Sequence, residues 1–182
     1  RVLLLDGGAY DNLGIEPVEG SCRIVLASSA GGNLKVDTRR WPYRLMVPLI
    51  KRTLDISVEV GRAQRRRALI DRATAARELP EDSEFREDYR TEHVALWRTS
   101  NRIVDHELLP ADLTVTKGWN DYLASRATRL CPMPEIDRQR LVNWGYLTSD
   151  LMLRRYVPEL TDAEPPTQLP FADVRFSAPP PP

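Results

Sequence analysis

The longest hydrophobic period lies in the second quarter of the chain. Between residues 43 and 77, Leu49, Thr53, Ile56, Val60, Ala63 and Ile70 recur on a spacing built from three and four. That spacing lines one face of a helix with 3.6 residues per turn, so it predicts a long helix with this face inward. Pro48 fits its first turn, where a missing N–H costs nothing. A second periodic run, 135–156, follows Pro132 and Pro134 and predicts a helix with Ile136, Leu141, Trp144, Thr148, Leu151 and Met152 on its inner side. Gly145 within it costs about 1 kcal/mol in propensity relative to Ala, which a close approach to another element would explain. Tyr122, Leu123 and Ala127 give 119–130 a helical spacing as well.

Apolar runs without a helical period are short. Val2-Leu3-Leu4-Leu5 and Arg23-Ile24-Val25-Leu26-Ala27 read as strands buried on both faces, parallel neighbours after a short crossover. His93-Val94-Ala95-Leu96-Trp97-Arg98 has strand composition and would extend the same sheet, although a short helix fits it too. Residues 13–18 have room for one helical turn, capped by Asp11 or Asn12 and limited by Pro17. The stretches 28–38, 79–89 and 105–118 carry Gly, Pro or dense charge and read as loops. The alternation over 1–157 predicts an α/β domain with a mainly parallel sheet. From Pro158 the pattern is lost, and Pro165, Pro166, Pro170 and the run 179–182 predict a stiff, extended, disordered tail over 158–182.

Composition narrows the function classes. A chain of 182 residues supports one domain with a core and does not require two. Lys plus Arg and Asp plus Glu number 26 each, so no net field draws the chain to nucleic acid or to an anionic membrane. No window approaches the roughly 20 apolar residues of a membrane span. Arg62, Arg65, Arg66, Arg67 and Arg72 crowd the second half of the long helix. Near an anionic lipid surface each contributes about 1 kcal/mol. The acids from Glu78 to Asp88 follow directly, and arginines late in a helix complement its dipole, which favours a paired or solvated cluster. Cys22 and Cys131 stand apart and read as buried or incidental thiols. His93 and His106 are isolated and read as structural or surface residues, and no metal-ligand spacing occurs.

Chemistry concentrates at the end of the first predicted strand, where Asp6 is followed by Gly7 and Gly8. Working groups collect at the carboxyl ends of parallel strands, and two glycines let the backbone turn there without obstruction. The same residues also make an ordinary turn in which Asp6 bonds nearby amides. The longer string Asp-Gly-Gly-Ala-Tyr-Asp-Asn-Leu-Gly-Ile-Glu-Pro closely resembles the second catalytic motif of the patatin-like phospholipases. Three further stretches are similar to bacterial patatin-like proteins: Ala-Ser-Ser-Ala-Gly-Gly-Asn-Leu at 27–34, the arginine-rich helix around 64–70, and Arg-Leu-Cys-Pro-Met-Pro at 129–134 with Asn-Trp-Gly-Tyr at 143–146. The likeness extends to about Val157.

This resemblance implies a three-layer α/β/α fold and a Ser-Asp dyad that cleaves lipid esters without histidine, metal or cofactor. Asp6 would be the catalytic base, Gly7 and Gly8 would position it, and Asn12 would fix the turn. The family's Gly-x-Ser-x-Gly turn and glycine-rich oxyanion loop precede the aspartate motif, and neither occurs here. The nearest imitation, Ala-Ser-Ser-Ala-Gly at 27–31, lacks the first glycine and falls after Asp6. Arg1 stands inside a predicted strand with no initiator methionine. The expectation is therefore the C-terminal part of a longer acyl hydrolase, cytoplasmic or membrane-associated, inactive by itself for want of a nucleophile. The alternative is a non-catalytic scaffold or membrane-surface interaction module of the same fold.

Overall fold

The computed structural model of the protein describes residues 13–29, 46–103, 109, 113–126, 132–161, 164 and 166–181. In chain order they form strand β1 (Ile24–Ser29), helix α1 (Met46–Glu78), strand β2 (His93–Arg98), helix α2 (Trp119–Ala124) and helix α3 (Glu135–Tyr156). One-turn 3-10 segments occupy Glu84–Glu87 and Pro158–Leu160. The two strands pair in one sheet. The amides of Glu92 and His93 donate to the carbonyl of Arg23 at 2.9 and 3.1 Å, and that of Thr99 to Ser29 at 3.4 Å, so the pair runs parallel. Parallel neighbours need a crossover of a dozen residues or more, and α1 lies within it. The protein is thus mixed helix and strand with a small parallel sheet, and the two readings of 93–98 resolve as strand. The predicted strand at 2–5 lies outside the described residues.

The chain divides into two compact units, Arg1–Val25 with Leu34–Val94 and Leu26–Asn33 with Ala95–Pro182. The division falls inside both strands, after Val25 and after Val94.

In the first unit α1 spans 33 residues, close to its predicted bounds, but its inner face is not the predicted one. Leu69, Ala73 and Ala76 are buried, whereas Leu49 is 61% exposed and Ile56, Val60 and Ile70 are exposed as well. The physical reason is side-chain size. The two alanines supply little to a count of hydrophobicity but admit close packing, so the buried stripe is displaced by one residue, from Ile70 to Leu69. Continued upward at three and four, that stripe meets Arg66, Arg62 and Glu59, where both guanidiniums pair with Glu59 at 3.5 Å. Arg72 pairs with Glu19 at 2.8 Å. Three arginines of the cluster are thus paired, within the expectation of a paired or solvated cluster, with partners that precede it in sequence. Residues 13–18 form a turn rather than a helix, closed by the amides of Val18 and Glu19 on the carbonyl of Ile15. Buried Thr91 ties this turn to the start of β2: its hydroxyl donates to Cys22 O at 2.8 Å and accepts from the amide of Gly20 at 3.3 Å. Cys22 itself is exposed, which fits the incidental rather than the buried reading of that thiol.

In the second unit α3 has its predicted bounds. Glu135 and Asp137 in its first turn and Arg154 and Arg155 in its last complement the helix dipole. Asn143, Trp144, Leu147, Thr148 and Leu151 are buried, while Ile136 is exposed and Leu141 and Met152 are half-buried. Among the described residues nothing stands within 4 Å of where a Cβ would sit on Gly145, so they supply no close approach for that glycine. Helix α2 starts after Gly118, whose φ of 97° suits glycine and brings it under the ring of Pro180.

Within the expected tail, residues 166–181 pack against the core of this unit. Leu169, Val174 and Phe176 are buried, and Leu169 and Phe176 join the core with Trp119, Leu123, Trp144, Leu147 and Leu151. Phe176 meets Trp119 and Trp144 edge to face, with ring centroids 5.2 and 5.3 Å apart. The side-chain amide of Asn143 donates to the carbonyls of Phe171 and Val174 at 2.9 and 2.8 Å and accepts from the amide of Phe171 at 2.9 Å. Trp119 Nε1 donates to the carbonyls of Phe176 and Ala178 at 3.1 and 2.8 Å. Prolines preset φ and lower the entropy lost on ordering. Three isolated apolar anchors then suffice, and isolated anchors leave no period to read.

Candidate functional site

Asp6, Gly7, Gly8 and Asn12 lie outside the described residues, as do His106 and Cys131. The described residues form a different feature at the place where parallel sheets carry their sites, beyond the carboxyl ends of the strands. Within the second unit a cavity of about 250 Å³ opens there. Ser28 and Ser29 close β1, Trp97 and Arg98 close β2, and Thr99 follows; all five belong to its wall. Leu123 and Arg126, from α2 and the turn after it, and Leu141 and Trp144 of α3 complete the opposite side.

Each wall is fixed by contacts already required for folding. Trp144 donates its indole N–H to the carbonyl of Thr99 at 2.9 Å, holding α3 to the end of β2. Arg126 stacks its guanidinium 4.0 Å from the centroid of the Tyr122 ring and pairs with Asp137 at 3.4 Å. Asp137, though only 4% exposed, also accepts from the Tyr122 hydroxyl and from Arg140, each at 3.0 Å. Burial pushes its pKa up. The bonds from Arg140 and Tyr122 and the charges of Arg126 and Arg140 outweigh that, holding the carboxyl below its ordinary value. One carboxylate therefore serves two guanidiniums. The Nε of Arg126 is buried with no hydrogen-bond partner.

No Asp, Glu or His belongs to the described wall. Ser28 and Ser29 thus have no base within it, and an un-ionised hydroxyl alone is a weak nucleophile. Among its described residues the wall combines two arginines and several hydroxyls with apolar side chains. A second cavity of about 500 Å³ in the same unit is bordered by Arg102, Lys117, Asn120 and Asp121, with Trp144 again in its wall. Arg126, Asp137 and Asn143 were not singled out as functional from sequence. The one available signal was the Asp137–Arg140 spacing of three on a helix, which allows an ion pair.

Fold and cavity define a mixed α/β protein with a recess at the carboxyl end of a parallel strand pair, bordered among the described residues by Arg98, Arg126 and apolar side chains. No family model, curated protein or solved structure matches the chain. Among the described residues no helix is long and apolar enough to cross a membrane, and no group of His, Cys, Asp and Glu could hold a metal ion.

Proposed function

We propose that the chain is the aspartate-bearing part of a patatin-like serine lipid acyl hydrolase with a three-layer α/β/α fold. The observation that carries this reading is the string from Asp6 to Pro17, with Gly7 and Gly8 following the carboxylate. The parallel pairing of β1 and β2 is compatible with it. The nucleophilic serine comes from a segment outside this sequence. As its oxygen adds to the acyl carbon, Asp6 takes the hydroxyl proton, and the departing alcohol receives it. Water, deprotonated by the same carboxylate, then adds to the acyl-enzyme, and Asp6 returns that proton to the departing serine oxygen as the carboxylic acid is released. A solvated aspartate, with a pKa of about 3.9, is a weak base, and this reading requires partial desolvation to raise its basicity. Asn12 fixes the turn, and no metal or cofactor takes part.

In the full-length protein Asp6→Asn is expected to lower lipid ester hydrolysis by about 10²-fold or more with an unchanged thermal melt. Activity within a few-fold of wild type would overturn the base role. The 182-residue chain alone is expected to leave a nitrophenyl ester intact. A second reading, an interaction module acting at membrane surfaces, is favoured by the exposed apolar side chains Met46, Leu49, Ile50 and Leu54 along the first half of α1. Salt-dependent vesicle binding by a full-length protein that hydrolyses no ester selects that reading.

A further inference from the structure

We propose that the exposed face of α1 between Met46 and Ala63 pairs with the same face of a second copy of this chain, as a short antiparallel coiled coil. The inference depends neither on Asp6 nor on ester hydrolysis. Met46, Leu49, Thr53, Ile56, Val60 and Ala63 follow one another at alternating intervals of three and four, a seven-residue repeat. Ala63 is half-buried and the other five are exposed, Met46 to 72%. At about 100° per residue this stripe lies nearly opposite Leu69, Ala73 and Ala76, which the helix's own unit buries. One helix thus carries two apolar stripes, and the more regular of them faces outward.

The period selects a helix as the occupant. Intervals of three and four average 3.5 residues per turn, which keeps a seam turned toward a second helix that supercoils with it, whereas a lipid surface requires no such repeat. Side-chain size selects the copy and its direction. Antiparallel pairing about the midpoint between Leu54 and Asp55 sets Met46 against Ala63, Leu49 against Val60 and Thr53 against Ile56 of the second copy. Every layer then joins a larger side chain to a smaller one, and the two-fold axis repeats each layer. Parallel pairing would stack Met46 on Met46 and Ala63 on Ala63, and would bring Arg67, the next member of the stripe, against its own charge. In the antiparallel pair Arg67 lies past Met46 of the second copy, where α1 begins. A seam of 18 residues extends about 27 Å, so the dimer is a weak one with a dissociation constant in the micromolar range.

The test follows the mass of the 182-residue chain and of the full-length protein by sedimentation from about 5 to about 500 μM. Both are expected to pass from monomer to dimer. Leu49→Glu and Ile56→Glu place a charge in the seam and should each weaken dimerisation tenfold or more, with helical circular dichroism unchanged because both side chains are exposed in the monomer. Leu54→Glu alters a side chain as exposed as Leu49 but outside the seam, and should leave the dimer intact. In chains carrying Cys22→Ser and Cys131→Ser, oxidation should join Met46→Cys to Ala63→Cys in preference to either with itself. A monomer at every concentration, equal loss of dimer in Leu54→Glu, or Met46→Cys chains joined to each other would overturn the proposal. So would a dimer of the 182-residue chain that the full-length protein does not form, since the face is then covered from within. Vesicle binding by a protein that stays monomeric, lost in Leu49→Glu, would assign the face to lipid instead.

Discussion

Asp137 shows how one side chain can set a local balance of charge. It is buried, yet it stays ionised because Tyr122 and two arginines converge on it. Its folded pKa lies below its ordinary value, so the stabilisation is fully present above the unfolded pKa of about 4 and is lost as pH falls through the folded one. Asp137→Asn is expected to cost about 1–3 kcal/mol at pH 7, the range for leaving buried partners poorly satisfied. The gap between wild type and variant should close as pH drops below about 4. Urea midpoints at neutral and acid pH measure this directly, and parallel pH profiles would rule it out. Asn143 is the neutral counterpart: its three hydrogen bonds to Phe171 and Val174 leave its amide oxygen and nitrogen engaged while fully buried.

Helix α1 carries its own test at the scale of an element. Leu69→Ala removes a fully buried side chain and is expected to cost about 2–5 kcal/mol. Leu49→Ala, on the predicted but exposed face, should fall within about 0.5 kcal/mol. Equal shifts in denaturation midpoint would restore the original face. Both long helices were legible as helices, since their period and flanking prolines are local properties. The face of α1 was not, because Ala73 and Ala76 pack closely while weighing little in any hydrophobic pattern. Strand β2 stayed ambiguous until its pairing with β1, some 70 residues away, was known. The candidate chemistry divides the same way. Asp6 announces itself in a contiguous string, whereas Arg98 and Arg126 reach one cavity from separate segments, and only the folded chain brings those together.

At the scale of the whole molecule, the core of the second unit is closed by residues 166–181. Phe176 is the shared edge-to-face partner of two tryptophans, so Phe176→Ala is expected to cost about 3–5 kcal/mol. Loss of near-ultraviolet circular dichroism at a lower temperature than in the wild type would report it, and an unaltered melt would contradict it. This closure also has a temporal side. Trp119 and Phe176 are separated by 57 positions, about 3–11 seconds of translation at roughly 5–20 residues per second. Until the ribosome has delivered Phe176, the indoles of Trp119 and Trp144 lack this aromatic cover, and for that interval they are open to non-native apolar association.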